Sequence, residues 1–235
     1  ASAGHVVAID QITVDAPVST RPARPGAVPP ASSWDVEAFE WSPTVFRALT
    51  DNDGLRQGWM RGLLGNLDRW VTDQGLDRCE WIPAAPRHRR GDEGLVTTIR
   101  GELRPAGVDA VIGVRRRSVR RDDGWVRMTI ELQLPVALAD VPRIGTEWVL
   151  PGGLSRVEWF GDGPHECYPD RRSSAIVGRH AASVDDMYED YVVPQEHGHR
   201  TGVRWLALGP AGRRAGQPSL LVVADPAVGD GTLGM

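Results

Sequence analysis

The sequence contains no lysine, so arginine supplies all 27 of its basic side chains. We interpret this as a composition bias that replaces ammonium groups by planar guanidinium donors. Acidic residues outnumber the basic ones, and the formal net charge is -4. A chain with this balance has no overall positive field to attract nucleic acid or an acidic membrane.

Cysteines and long apolar runs are also scarce. The two cysteines, Cys79 and Cys167, are too few for a disulfide framework and lack the spacing of a metal site. No apolar run is long enough to span a bilayer, and we expect a cytoplasmic location. Because residue 1 is alanine rather than an initiator methionine, we expect a longer parent polypeptide.

Common catalytic motifs are missing as well. The sequence has no G-x-S-x-G nucleophile elbow, no H-E-x-x-H zinc motif and no phosphate-binding loop. The predicted strands do not alternate with predicted helices, which excludes a (β/α)8 barrel. The sequence therefore shows no catalytic centre of these kinds.

What the sequence does have is the composition of a folded domain rich in tryptophan. Its 235 residues are 41% hydrophobic and 25% charged, which suits a soluble globule with a sizeable core. Nine tryptophans stand beside only three tyrosines and three phenylalanines. Tryptophan serves both core packing and stacking on sugars, and we assign most of the nine to the core.

Alternation of apolar and polar residues predicts many short strands. They lie near residues 1–14, 34–41, 95–103, 109–117, 125–134, 146–150, 157–160 and 219–225. The Asp122-Asp123-Gly124 turn predicts a hairpin between two of them. One helix is expected over Leu55–Gln74, where apolar residues recur every three or four positions until Gly75. This pattern predicts a mainly β fold, a large antiparallel β-sandwich with one helix.

Two arginine clusters, Arg87–Arg90 and Arg115–Arg121, fall within this strand region. Strand alternation and flanking acidic residues favour solvated strand faces over a nucleic-acid site. Upstream, Asp51-Asn52-Asp53-Gly54 is a turn signal. Asp51 and Asp53 could cap the following helix or line a site, and the two roles are compatible.

The stretch 157–205 is the densest in polar and aromatic chemistry, and it holds all three tyrosines. Rings stack on the apolar faces of sugars, and charged groups orient hydroxyls, so such loops suit a polyol site. The same side chains can instead lock long loops through hydrogen bonds, which is the more frequent outcome.

Three segments carry a family resemblance: FRALTDNDG at 46–54, WFGDGPHECYPDR at 159–171 and MYEDYVVPQEHGHRTGVRW at 187–205. In this order they resemble motif blocks of the C-terminal β-sandwich, called the small chain or domain 5, of glycoside hydrolase family 2 β-galactosidases. The resemblance covers most of the chain. Leu49 departs from it, because the family usually has proline there. The interval before residue 46 is also shorter than in the family, either because loops are trimmed or because residues are missing.

The resemblance implies a galactose mutarotase-like supersandwich and a division of the chain. Residues 1–14 would be a remnant strand of a preceding immunoglobulin-like domain. Residues 15–32, rich in proline and alanine, would be a linker. Residues 33–235 would be the sandwich, truncated before the family's later strands and their galactose-stacking tryptophan.

The resemblance also implies site residues, which fall into two groups. The group nearest the galactoside would be Arg47, Asp51, Asn52, Asp53 and Gly54. The group that fixes the long loops would be Glu166, Tyr168, Asp170, Arg171, Gln195, Glu196 and Arg200.

The implied function is that of a non-catalytic carbohydrate-binding sandwich in a retaining β-galactosidase that hydrolyses terminal β-D-galactosides. It would close one wall of the active site. The family's two catalytic glutamates lie on a separate barrel, so we expect no catalytic residue, cofactor or tightly bound metal here, and no activity from the chain alone. Expected partners are a galactoside or other carbohydrate, the barrel and immunoglobulin-like domains of the same polypeptide, and further copies of the parent enzyme.

Two alternatives stay open. An aldose 1-epimerase-like mutarotase would use a glutamate base and a histidine acid, for which His165, His197 and His199 lie near Glu166 and Glu196 in sequence. That idea rests on fold analogy alone. The other alternative is a purely structural module that orients the barrel and mediates oligomer contacts.

Overall fold

The computed structural model of the chain describes residues 5–15, 35–54, 66–211, 220–225 and 231–233. Regular structure in these ranges is mostly β. The strands are β1 (His5–Asp15), β2 (Trp41–Thr44), β3 (Glu80–Pro83), β4 (Arg87–Gly91), β5 (Gly94–Arg104), β6 (Ile112–Arg120), β7 (Trp125–Leu134), β8 (Gly145–Trp148), β9 (Arg156–Gly163), β10 (Ile176–Ser183), β11 (Arg200–Val203), β12 (Trp205–Gly209), β13 (Leu220–Ala224) and β14 (Gly231–Leu233).

One antiparallel sheet of ten strands dominates the fold. Its order is β10-β9-β12-β13-β1-β7-β6-β5-β3, and β4 pairs with β5 beside β3. Two short ribbons, β2–β8 and β11–β14, lie outside this sheet. The prediction of a mainly β, antiparallel fold is therefore confirmed, while the mutarotase-like supersandwich stays a prediction.

The β6–β7 hairpin forms where the sequence predicts it. Gly124 takes the left-handed conformation at φ 92°, which glycine adopts without a Cβ penalty. The amide of Arg121 donates to the carbonyl of Trp125 at 2.8 Å and closes the turn. Strand β7 occupies the predicted residues 125–134.

The N-terminal strand is also found where the sequence predicts one. It pairs with β7 on one side and with β13 on the other, so in this chain it lies inside the large sheet. Its origin in a preceding immunoglobulin-like domain, and the linker at 15–32, stay predictions.

The core lies on one face of the sheet and has two neighbouring parts. Alternate residues of β7 supply its centre, and Met128, Ile130 and Leu132 are fully buried there. Trp148 of the β2–β8 ribbon packs against both parts, so the ribbon covers the sheet at their junction. Burial of this alternating face is the main stabilising contribution that we expect in the fold.

Arg116 corrects one expectation about the arginine clusters. Arg87–Arg90 are exposed except at their backbone pairings, as predicted, but Arg116 points into the core and is only 2% exposed. Its guanidinium carbon lies 4.8 Å from the ring centroid of Trp41 and 6.0 Å from that of Trp148. Burial lowers the pKa of Arg116, and the two rings partly offset the cost of burying its charge.

Helical segments are short in the described residues. They are the 3₁₀ turns Val36–Ala38, Asp51–Asp53, Leu76–Arg78, Val136–Leu138 and Asp185–Met187, and the π-helical turn Asp68–Asp73. The strand predicted over 34–41 is wrong for residues 35–40, because the Asp35 carboxylate accepts from the amide of Glu37 at 3.1 Å and caps a 3₁₀ turn. Residues 55–65 of the predicted helix lie outside the described residues. Its end is confirmed, because Gly75 is left-handed at φ 63°.

Candidate functional site

The loop after β2 carries the first group of predicted site residues. Asp53 is its centre: the Arg47 guanidinium donates to its two oxygens at 2.7 and 3.3 Å. The amide and hydroxyl of Thr50 each donate to Asp53 at 2.9 Å. Burial alone would raise the pKa of Asp53, but the bonds from Arg47 and Thr50 outweigh it and hold the pKa below its ordinary value. Asp53 therefore acts as a fixed anion that closes the loop on itself.

Gly54 ends this loop in a left-handed conformation at φ 85°, and its amide donates to the carbonyl of Asp51 at 3.0 Å. A residue with a Cβ would be strained at this φ. Asp53 accepts from the amide of Thr50, the N-cap residue of the 3₁₀ turn Asp51–Asp53, and so completes a capping box. Capping of the following predicted helix stays a prediction, because residues 55–65 lie outside the described residues. Asp51 differs from Asp53, because its buried Oδ1 has no hydrogen-bond partner among the described residues.

A second cluster forms around Glu166, whose side chain is 3% exposed. Its carboxylate accepts from Arg171 at 2.6 Å, from the amide of Gly198 at 3.0 Å and from the hydroxyl of Tyr191. Burial opposes ionisation, but these donors together hold the pKa of Glu166 below its ordinary value. Glu166 thus ties the segment 166–171 to the segment 191–198.

Three hydrogen bonds join the two clusters. The amide of Asp51 donates to Gln195 Oε1 at 3.1 Å, and the amide of Glu196 donates to the carbonyl of Leu49 at 3.2 Å. Asn52 donates to Asp170 Oδ2 at 3.2 Å. The two groups of residues that the sequence predicts separately are therefore joined in one hydrogen-bonded network, by contacts between positions more than 100 residues apart.

His199 contacts the segment 166–171 of this network and is 8% exposed. Its ring stacks on Tyr168 with centroids 5.2 Å apart and planes 16° apart. Burial and then the guanidinium groups of Arg143, Arg47 and Arg200 lower its pKa to about 4. His199 is therefore a neutral packing group at neutral pH rather than a poised acid.

Arg200 and Asp162 anchor the segment to the core. Arg200 donates to the carbonyls of Gly198 at 2.8 Å and Pro164 at 3.1 Å, and its guanidinium lies 5.5 Å from the ring of Trp159. Asp162 accepts from the Thr201 hydroxyl at 2.7 Å. Arg200 thus links two backbone positions, 164 and 198, and its predicted role in fixing the long loops stays a prediction.

Three carboxylates in these two clusters are engaged by arginine. Asp53, Glu166 and Glu196 each contact a guanidinium group. In the described part of the chain, no group of three or more histidine, cysteine, aspartate or glutamate side chains could hold a metal ion, and no helix there is long and apolar enough to cross a membrane. The arrangement suits recognition through oriented polar groups.

Sequence reasoning located the two loops but missed some of the residues that hold each of them in place. Arg143 forms an ion pair with Glu196, and Asn66 donates to Asp53 Oδ1 at 3.3 Å. Neither residue lies in a recognisable motif. Tyr191 could have been found, because it lies inside one of the segments that carry the resemblance.

A family model and several curated relatives relate this chain to β-galactosidases. Residues 31–224 match the family described as "Beta galactosidase small chain". The β-galactosidase of Arthrobacter sp. (strain B7) is 33% identical over 204 residues, covering 77% of this chain and 18% of that protein. The β-galactosidase of Vibrio cholerae serotype O1 is 34% identical over 178 residues, covering 67% of this chain and 17% of that protein. That of Aeromonas hydrophila subsp. hydrophila is 31% identical over 244 residues, covering 88% of this chain and 23% of that protein. The chain spans about a fifth of the length of these curated relatives.

Proposed function

The chain belongs to the β-galactosidase small-chain family, and on this premise we propose that it is the non-catalytic carbohydrate-binding sandwich of a β-galactosidase. The loop Arg47–Gly54 closes one wall of the pocket for terminal β-D-galactosides. The catalytic groups and the other domains belong to the rest of that enzyme.

The observation that carries the proposal is the state of Asp51. The loop is held at both ends, by Arg47–Asp53 and by Gln195, while Asp51 keeps a buried oxygen without a hydrogen-bond partner among the described residues. A buried acceptor left unpaired is costly, and a rotation of the half-buried Asp51 side chain would let a sugar hydroxyl donate to it. Asn52, next in the chain, is exposed and presents a further polar group.

The state of the buried carboxylates supports a non-catalytic role. A retaining glycosidase needs two carboxyl groups about 5 Å apart, one of them with a raised pKa. Here Asp53 and Glu166 have lowered pKa values and are each bound to an arginine. The same locked Glu166 and the buried His199 do not favour an epimerase, which needs a free base and acid.

A domain replacement tests this proposal. In the Arthrobacter β-galactosidase, the matched region is exchanged for this chain, and hydrolysis of nitrophenyl β-D-galactoside is measured. We expect an active enzyme in which Asp51→Asn lowers kcat/KM by about 10- to 100-fold, because a charged hydrogen bond to the sugar is lost.

The matched control is Arg104→Gln, which breaks an exposed ion pair with Glu102 and should leave kcat/KM unchanged. Equal kcat/KM values for Asp51→Asn and Arg104→Gln would contradict the proposal that this loop forms a wall of the galactoside pocket. Hydrolysis by the chain alone would contradict the non-catalytic role.

A further inference from the structure

Arg143 lies outside all three motif segments, on the loop between the 3₁₀ turn Val136–Leu138 and β8. Its guanidinium forms an ion pair with Oε1 of Glu196. The Glu196 side chain is 10% exposed and that of Arg143 is 26% exposed. The pair therefore places a cation beside a carboxylate that is largely removed from water.

Glu196 and its neighbour Gln195 hold the wall loop, Arg47–Gly54, which we propose as one wall of the galactoside pocket. The Glu196 amide donates to the carbonyl of Leu49 at 3.2 Å, and Gln195 Oε1 accepts from the amide of Asp51 at 3.1 Å. These two contacts fix the wall loop on either side of Thr50. A largely buried carboxylate that loses its cation is driven to rearrange toward water, and such a movement of Glu196 would release both contacts.

The β2–β8 ribbon places Arg143 beside the start of the wall loop. Thr44, the last residue of β2, pairs with Gly145, the first residue of β8. A Cβ on Gly145 would lie 3.7 Å from the Thr44 methyl and 3.8 Å from Cγ and Cδ of Arg143. The arginine stem thus runs along the end of the ribbon from which the wall loop starts.

We propose that Arg143 is a positioning residue for the galactoside wall. It touches no sugar and acts through Glu196, which sets the position of Leu49–Asp51. The assignment of a ligand to this wall rests on the function proposed above, whereas the coupling between Arg143 and the loop does not.

Hydrogen exchange of the chain, followed by mass spectrometry, tests the coupling. We expect Arg143→Gln to speed amide exchange in segment 49–54 by about tenfold, because local opening becomes easier. Arg143→Lys should restore protection, since one nitrogen of Arg143 makes the contact with Glu196. Peptides from β9 should exchange at the wild-type rate in both variants.

The control is Arg115→Gln, which breaks the half-exposed ion pair with Glu131 on the sheet. The proposal is overturned if Arg143→Gln behaves as this control does. It is also overturned if exchange accelerates equally in β9, because that result indicates a general loss of stability, or if lysine fails to restore protection.

A second arm adds isopropyl β-D-thiogalactoside to the wild-type chain and to Arg143→Gln. If the sugar slows exchange of segment 49–54 in the wild type but not in Arg143→Gln, the result supports both galactoside binding by the wall loop and the positioning role of Arg143. If the sugar changes exchange in neither protein, binding of galactoside by the isolated wall is contradicted, and the comparison without sugar still decides the role of Arg143.

Discussion

Replacement of Glu166 by alanine is expected to lower the free energy of unfolding by about 2–3 kcal/mol. The side chain is 3% exposed and accepts from Arg171 and from the amide of Gly198. Its removal leaves that amide unpaired in the interior and releases the segment around Tyr191. Urea unfolding, with the midpoint and slope fitted together, measures the change.

Glu158 provides the matched control for this substitution. It also pairs with arginines, at 2.6 Å to Arg179 and 3.5 Å to Arg156, but its side chain is 18% exposed on the sheet. Glu158→Ala should cost less than about 1 kcal/mol. Similar losses for the two alanine variants would contradict the view that Glu166 organises the loops, and Glu166→Gln provides a milder substitution if the alanine variant does not fold.

Acid destabilisation should begin well above the range in which the carboxylates titrate. The pKa of His199 falls from 6.5 to about 4 on folding, because of burial and the nearby Arg143, Arg47 and Arg200. Between these values the unfolded chain binds a proton that the folded chain does not. Stability is therefore lost as the pH falls from about 6.5 to 4, by about 3 kcal/mol in total.

The variant His199→Phe tests this interpretation. It keeps a ring to stack on Tyr168 and removes an imidazole whose Nδ1 has no hydrogen-bond partner among the described residues. We expect the slope between pH 6.5 and 4 to disappear, as measured by urea unfolding across that range. A slope as steep as that of the wild type would contradict the assignment.

Asp53 and Glu166 lose their contribution to stability in a lower pH range than His199. The folded pKa values of Asp53 and Glu166 are depressed, so their stabilisation is complete above the unfolded values near 4 and is lost as the pH falls below them. The phenylalanine variant should keep this second phase of acid destabilisation.

Local chemistry explains what the sequence could predict. The Asp51–Gly54 turn depends on residues within a few positions of one another, such as the Asp53–Thr50 bonds and the left-handed Gly54. Strand β7 alternates cleanly, because one of its faces is buried. Both features were therefore found at their observed positions.

Long-range contacts explain what the sequence could not predict. Burial of Arg116 depends on Trp41 and Trp148, which are distant in sequence, and arginine in a strand usually faces water. Strand β10 was missed because it lies at the edge of the sheet, where Ile176 is 69% exposed and alternation is weak.

The candidate site likewise combines local features that the sequence predicts with long-range contacts that it does not predict. The motifs identified both loops, and the fold was needed to show that Gln195 meets Asp51 and that Asn52 meets Asp170. Arg143 has no sequence signal at all, because its partner Glu196 lies 53 positions away.

The proposed function requires the loop Arg47–Gly54 to touch the galactoside. A crystal structure of the replacement enzyme with a bound thiogalactoside tests it most directly. We expect a carboxylate oxygen of Asp51 within about 3 Å of a sugar hydroxyl, which is hydrogen-bond distance. A sugar bound entirely by other domains, with this loop separated from it by solvent, would show that the loop is not part of the galactoside pocket.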